Sequence, residues 1–165
     1  MRTIKLAYFP MDTIKELREE TGLSFAQIKK ALDEAAGDKD KAREILSQYS
    51  SAQAEKKADR EVEAGVVDAY VHSSGTIGVL LTLGCETDFV AKNEEFKALA
   101  HDISMHICAM APTSIDNEDG AGEETALLKQ PFIKDPSLTV EQRIQAAIQK
   151  FGENTKVIKF TRYTI

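Results

Sequence analysis

The sequence predicts an α+β fold, in which a three-helix module precedes a core of three antiparallel strands packed with helices. From residue 12 to about residue 49, apolar side chains recur at helical intervals in three short pieces. From residue 67 to residue 83, apolar residues alternate in two runs around a Ser-Ser-Gly turn, which is typical of a hairpin. Ile158 and Phe160 alternate in a further run, which supplies the third strand.

The N-terminal helices are bounded by residues that commonly begin or end a helix. Asp12 or Thr13 is expected to cap the first helix, and Gly22 is suited to the left-handed position after it. Ser24 begins the second helix and Gln27 follows three residues later, which is the spacing of a capping box. These three helices have one apolar stripe each and are expected to pack as a small bundle.

The rest of the chain is predicted to form a second unit. Residues 50–63 are rich in Ala, Lys, Glu, Asp and Arg, as in an exposed helix tail or linker, so we divide the chain into residues 1–54 and 55–165. The first unit contains an extension of ten residues before the module. In the second unit, Asn93 can cap a long helix, and residues 116–124 read as an acidic loop. A short helical piece is then expected up to Gln130, followed by an extended stretch at 131–136 and a last helix that ends at Gly152.

Composition and charge exclude several classes of function. The 165 residues carry a formal net charge of -6, which is not the basic balance of a nucleic-acid binder. The chain has no run of eighteen apolar residues and no apolar run near its start, so we expect a cytoplasmic protein without a membrane span. Cys85 and Cys108 lack metal-type spacing, and no glycine-rich phosphate loop is present, so no metal, nucleotide or other cofactor is expected.

The segment from Gly84 to Phe96 connects a strand-like run to the long helix. A carboxylate and a Phe stand side by side on this connection, as Asp88 and Phe89. A Phe in a polar connection either folds back onto the core or is presented to a partner, and binding residues concentrate on loops held by a rigid scaffold. From the residues alone, the first alternative is that Asp88 caps the next turn and Phe89 closes the local core.

The Thr-Asp-Phe-Val run, followed by Asn-Glu-Glu-Phe, resembles the signature of the bacterial elongation factor Ts family. Further matches lie at 15–18, 21–22, 29–32 and 37–38 upstream, and at 130–135 and 152–154 downstream. Members of this family are nucleotide exchange factors of elongation factor Tu and not enzymes. The resemblance implies an opening module of the ubiquitin-associated type and translation elongation as the process.

The resemblance also implies two regions that bind elongation factor Tu. The first is the Thr-Asp-Phe-Val turn, which would be inserted beside the partner's Mg²⁺ and phosphate site and comprises Thr87, Asp88, Phe89 and Val90. The second is the N-terminal module, where the matching or neighbouring positions are Leu17, Arg18, Thr21, Gly22, Leu23 and Phe25. Short members of the family carry a longer helical insertion between Pro112 and Leu127 and supply a second lobe by pairing, so a homodimer is expected.

Two other functions compete with nucleotide exchange. In one, the three-helix module binds ubiquitin-like or nascent-chain partners and the protein is an adaptor. In the other, a hydrolytic or metal site is formed by His101 and Asp102 with His106 and Cys108. The spacing disfavours the second, because His101 and His106 are five residues apart and therefore do not share a helix face. A partly buried, structural His106 is the expected alternative.

Overall fold

The computed structural model describes residues 9–116 and 122–165. Its helices are α1 (Met11–Thr21), α2 (Phe25–Glu34), α3 (Lys39–Ala58), α4 (Asp88–Ala91), α5 (Glu94–Met110) and α6 (Val140–Phe151). Its strands are β1 (Ala64–Val71), β2 (Ile77–Cys85), β3 (Pro131–Phe132), β4 (Asp135–Thr139) and β5 (Thr155–Thr164). The predicted α+β class is confirmed. Most of the acidic loop expected at residues 116–124, and most of the N-terminal extension, lie outside the described residues.

Helices α1, α2 and α3 enclose a hydrophobic cluster of their own. The Ser24 side chain accepts a hydrogen bond from the Gln27 amide, and the Gln27 side chain accepts one from the Ser24 amide. The predicted capping box is therefore confirmed. The predicted cap of α1 is wrong: Pro10 occupies that position, and neither Asp12 nor Thr13 caps the helix. Proline fits there because the first amides of a helix have no partner within the helix. The cluster comprises Ile14, Leu17, Leu23, Ile28, Ala31, Leu32, Ala35, Ala42 and Leu46.

The predicted three-stranded antiparallel sheet has the order β1-β2-β5. Strands β1 and β2 pair from Ala64 with Cys85 to Val71 with Gly78, and β2 pairs with β5 through a register shift after Thr82. One face of the sheet packs on α5, where Leu81 and Leu83 are fully buried. A second, small sheet of β3 and β4 was predicted only as an extended stretch.

The long helix α5 begins after Asn93, whose side chain accepts from the Glu95 amide, as predicted. Its apolar side packs into the core, where Phe96 meets the ring of Phe151 on α6 edge-on at 5.9 Å. The piece before Gln130, predicted as a helix, consists of two short 3-10 turns, Glu123–Thr125 and Leu127–Lys129. No helix within the described ranges is long and apolar enough to cross a membrane.

Helix α3 runs past the predicted boundary at residue 54 and ends at Ala58. It packs along α6, and Ser51 donates to Gln145 while Gln142 donates to Ser47 across the contact. Gly22 lies at positive φ against the backbone of α6, and a Cβ atom there would stand 2.4 Å from the carbonyl oxygen of Ala146. The module and the core are therefore in close backbone contact, while the division into two domains stays a prediction.

Candidate partner-binding site

The Thr-Asp-Phe-Val segment forms the one-turn helix α4, with Thr87 as the residue before it. Phe89 is 85% exposed, the most exposed Phe in the described part of the chain, while Val90 and Ala91 beside it are buried in the core. The local-core alternative for Phe89 is therefore wrong. A short helix is anchored by its two buried residues and presents one aromatic ring to solvent, which is the arrangement of an interface anchor.

Asp88 does not cap the following turn, because it is the first residue of α4 and not the residue before it. Its carboxylate lies 3.8 Å from the ammonium group of Lys92, and both side chains are largely exposed. An exposed ion pair of this length contributes little to stability. The carboxylate of Asp88 is accordingly free to exchange Lys92 for a polar group of a partner.

The start of α4 is held by the other end of the core. Glu153, directly after α6, accepts from the Thr87 amide at 3.0 Å and from the Thr87 hydroxyl at 2.6 Å. The Thr87 carbonyl accepts from the Ala91 amide at 3.1 Å and from the thiol of Cys85 at 3.3 Å. Burial, aided by the nearby Glu153 charge, raises the pKa of Cys85, so this thiol stays protonated at neutral pH.

The predicted contact residues of the module divide into two groups. Leu17 and Leu23 are buried in the module's own cluster, so neither side chain reaches its surface. The Thr21 hydroxyl donates to the carbonyl of Leu17 at 2.6 Å and accepts from the amide of Leu23, and Gly22 lies against α6. These four residues therefore shape the turn and place the module on the core.

Arg18 and Phe25 are the two predicted module residues with exposed side chains, and Phe25 is 46% exposed. Arg18 lines a cleft of about 460 Å³ between α1, α5 and α6. Lys15, Arg143 and Lys150 line the same cleft, opposed by Glu19 and Glu95. The cleft therefore has a positive formal balance in a chain whose net charge is -6, and it lies between the module and the N-terminal end of α5.

His106 is fully buried, not partly buried as predicted. Its Nδ1 accepts from the Ile133 amide at 3.2 Å, so Nε2 carries the proton and donates to the Gln130 side chain at 2.9 Å. Burial lowers the pKa of His106, which keeps the ring neutral. With both nitrogens engaged, His106 joins the 130–133 segment to α5 and has no free position for acid-base chemistry.

A metal or hydrolytic site finds no support in the described parts of the chain. Cys85 and Cys108 are both buried free thiols. Residues 9–116 and 122–165 contain no group of three or more His, Cys, Asp or Glu side chains that could hold a metal ion.

Sequence reasoning did not assign Glu153 or the cations of the cleft to the site. Glu153 stands in the Gly-Glu-Asn match at 152–154, which was used only as a family match and as the end of a helix. Its link to Thr87 spans 66 positions of the chain, so no local pattern indicates it. Lys15, Arg143 and Lys150 occupy helical surfaces that resemble any solvated face.

Similar curated proteins and a family model agree on the family of the chain. It is 40% identical to elongation factor Ts of Carboxydothermus hydrogenoformans, over 92% of this chain and 87% of that protein. It is 40% identical to the elongation factor Ts of Thermotoga maritima over 94% of this chain and 95% of that one, and 37% identical to that of Rubrobacter xylanophilus over 94% and 98%. These alignments cover 188 to 191 positions, more than the 165 residues here, so the relatives have residues without a counterpart in this chain. The family model described as elongation factor TS matches residues 23–121, and the chain belongs to the elongation factor Ts family of translation elongation factors.

Proposed function

We propose that this protein is a guanine nucleotide exchange factor that binds elongation factor Tu and promotes release of GDP during translation elongation. The observation that carries the proposal is the exposed ring of Phe89, on a one-turn helix whose next two residues are buried in the core. Exposing an aromatic ring to water is unfavourable, so a Phe held out in this way is suited to burial in a partner. Family membership supplies the identity of the partner.

Exchange requires no acid, base or nucleophile, because it is a coupling between two binding equilibria. The factor must bind the nucleotide-free partner more tightly than the nucleotide-bound one. Nucleotide then lowers the affinity of the partner for the factor by the same ratio. In our proposal Phe89 enters the partner near the elements that hold Mg²⁺ and phosphate, and Asp88 competes for polar groups there. Thr87 and Val90 hold the helix that carries them.

The second contact of the proposal is the module, through Arg18 and Phe25. Both side chains are exposed. The cationic cleft that Arg18 lines would suit an acidic surface on the partner, because complementary charge favours encounter and orientation. Leu17, Thr21, Gly22 and Leu23 would contribute indirectly, by keeping this surface in shape.

The test is release of a fluorescent GDP analogue from purified elongation factor Tu as the protein is added. We expect catalytic release by the wild-type protein and a loss of about thirtyfold in rate for Phe89→Ala, the scale of an interface hot spot. Ile133→Ala is the control, because Ile133 is another exposed apolar residue in the core unit. Full activity of Phe89→Ala would contradict the insertion of this ring, and an inactive wild-type protein would contradict the exchange function.

We also propose that the active form is a homodimer that pairs through the outer face of the three-stranded sheet. That face is not covered by helices in the described chain and carries large apolar side chains, with Val67 70% and Val71 68% exposed. Contiguous exposed apolar patches mark interaction surfaces, and a symmetric dimer uses the same patch on both copies. The patch comprises Val67, Val71, Leu80, Ile158 and Tyr163.

Sedimentation of the wild-type protein and of Leu80→Lys tests the pairing. Leu80 is on the central strand β2 and is half exposed, so a lysine there leaves the buried core untouched and places a charge in the proposed interface. We expect a dimer for the wild type and a monomer for the variant. A wild-type monomer would exclude the dimer, and a dimeric variant would place the interface elsewhere.

A further inference from the structure

Helix α4 cannot be stable by itself. It has four residues, and an isolated helical turn is unfavourable because several dihedral angles are fixed for one hydrogen bond. Thr87 precedes the helix but makes no side-chain cap to it. The orientation of Phe89 therefore depends on contacts that α4 makes with the rest of the core.

Its C-terminal half is held by burial, since Val90 and Ala91 belong to the main hydrophobic cluster. Its N-terminal end is held by polar contacts alone. The carboxylate of Glu153 accepts the Thr87 amide with one oxygen and the Thr87 hydroxyl with the other. Glu153 makes no ion pair within residues 9–116 and 122–165, and both hydrogen bonds that its carboxylate accepts there come from Thr87.

The turn that contains Glu153 is itself hydrogen-bonded to two other segments. The amide of Asn154 donates to the Glu86 carboxylate at 2.6 Å, directly before Thr87. The buried Asn154 side chain donates to the carbonyls of Ala58 and Arg60, at the end of α3. Residues 152–154 thus connect the end of the module's long helix to the start of α4. A charged acceptor on a rigid turn gives stronger and better directed hydrogen bonds than solvent does.

We propose that Glu153 is a positioning residue for partner binding, which holds the N-terminal end of α4 so that Phe89 is presented in a single orientation. This inference rests on the proposed exchange function. Without Glu153 the first turn of α4 frays, and only a fraction of molecules present the ring correctly. The apparent dissociation constant rises in inverse proportion to that fraction, whereas the complex, once formed, is unchanged.

The experiment measures the rate of GDP release from elongation factor Tu over a range of concentrations of the full-length protein. For Glu153→Ala we expect the half-saturating concentration to rise by about fivefold to tenfold, the scale of two hydrogen bonds at a partly exposed site, with the maximal rate unchanged. Glu153→Gln should retain most of the wild-type affinity, because its amide oxygen can accept from the Thr87 amide and its NH₂ group can donate to the hydroxyl. Glu44→Ala is the matched control, since Glu44 is exposed and has no partner within the described residues.

A double substitution separates positioning from general structural damage. In the Phe89→Ala background, Glu153→Ala should cause a clearly smaller rise in the half-saturating concentration, because the ring is gone and only Asp88 is left to orient. An equal rise in both backgrounds would overturn the proposal, as would a Glu153→Gln protein that is as weak as Glu153→Ala.

Amide hydrogen exchange of the free protein supplies a readout that does not depend on the partner. We expect the amides of Thr87, Ala91 and Lys92 to exchange faster in Glu153→Ala than in the wild type, because the first donates to Glu153 and the other two donate within the turn of α4. The amides of β2 and α5 should be unchanged, and unchanged exchange at Thr87, Ala91 and Lys92 would overturn the proposal. If the wild-type protein fails to release GDP, the exchange function fails, and this measurement still decides whether Glu153 holds α4.

Discussion

The two regions expected to contact a partner present their residues in opposite ways. Helix α4 points its aromatic residue outward, with Phe89 85% exposed. In the module turn from Leu17 to Leu23, Leu17 is fully buried and Gly22 lies against the backbone of α6, and Arg18 is the exposed exception. Residues that match a family motif can thus serve contact in one place and internal geometry in another. The degree of burial of each side chain distinguishes the two roles.

Loss of a buried leucine should have the largest effect of these changes. The affected quantity should be the stability of the fold. Leu17→Ala leaves a cavity in the module cluster and is expected to lower the free energy of unfolding by about 2–5 kcal/mol. Phe89→Ala should change it by less than about 0.5 kcal/mol, because the ring is in solvent. Urea denaturation followed by circular dichroism measures both. A similar loss for both variants would remove the distinction between the two regions.

Gly22→Ala should have the next largest effect, at the junction between module and core. The added Cβ would stand 2.4 Å from the Ala146 carbonyl oxygen, and the residue has a φ of +67°. Strain of this kind costs about 1–3 kcal/mol, so α1 should move away from α6. Small-angle scattering should show a larger radius of gyration. Gly152→Ala is the control, because it shares the positive φ but has open space around its Cβ position; equal expansion in both would attribute the effect to backbone strain alone.

Phe25→Ala tests the exposed aromatic residue of the module against Phe89. Phe25 is about half exposed, and its proposed contact lies at the module and not at the inserted ring. We expect partner affinity to fall by about threefold to tenfold, less than for Phe89→Ala, because few interface residues are hot spots. Isothermal titration against elongation factor Tu measures the change. A loss larger than that of Phe89→Ala would make the module the dominant contact.

The smallest expected effect concerns His106, which is buried in the core unit. Burial lowers the pKa of His106, so the folded state favours the neutral ring. Its contribution to stability is complete above the ordinary histidine pKa of about 6.5 and is lost as pH falls towards the lower pKa of the folded state. The melting temperature should therefore fall from pH 7 to pH 5, and the slope should be smaller in His106→Gln. His72→Gln is the control, since His72 is exposed; an unchanged slope in His106→Gln would contradict the assignment.

Most of the secondary structure was predictable because its signals are local. The capping box at Ser24 and Gln27, the cap at Asn93 and the strand alternation in β1 and β2 each depend on residues within a few positions. Errors occurred where local rules allow several outcomes. Pro10 replaced a polar cap at α1, and the segment before Gln130 formed 3-10 turns in place of a helix.

The position of the site along the chain could be predicted, but the contacts that form it could not. The run from Thr87 to Val90 was identified by its resemblance to a family. The exposure of Phe89 could not be predicted from it, because a Phe on a connection can pack into the core or be exposed to a partner. Exposure depends on which neighbour fills the core. Here Val90 and Ala91 fill it, so Phe89 is left outside.

Local signals along the chain were enough to predict the α+β class, the helix ends set by caps, the strand alternation and, through the motifs, the family. The folded chain was needed to see which matched residues face solvent, that Gly22 contacts α6, and that Glu153 holds Thr87 from 66 positions away. The two kinds of feature differ in the range of the interactions behind them. Caps and alternation act between residues that are adjacent along the chain, whereas burial and long-range hydrogen bonds depend on which surfaces meet when the whole chain folds.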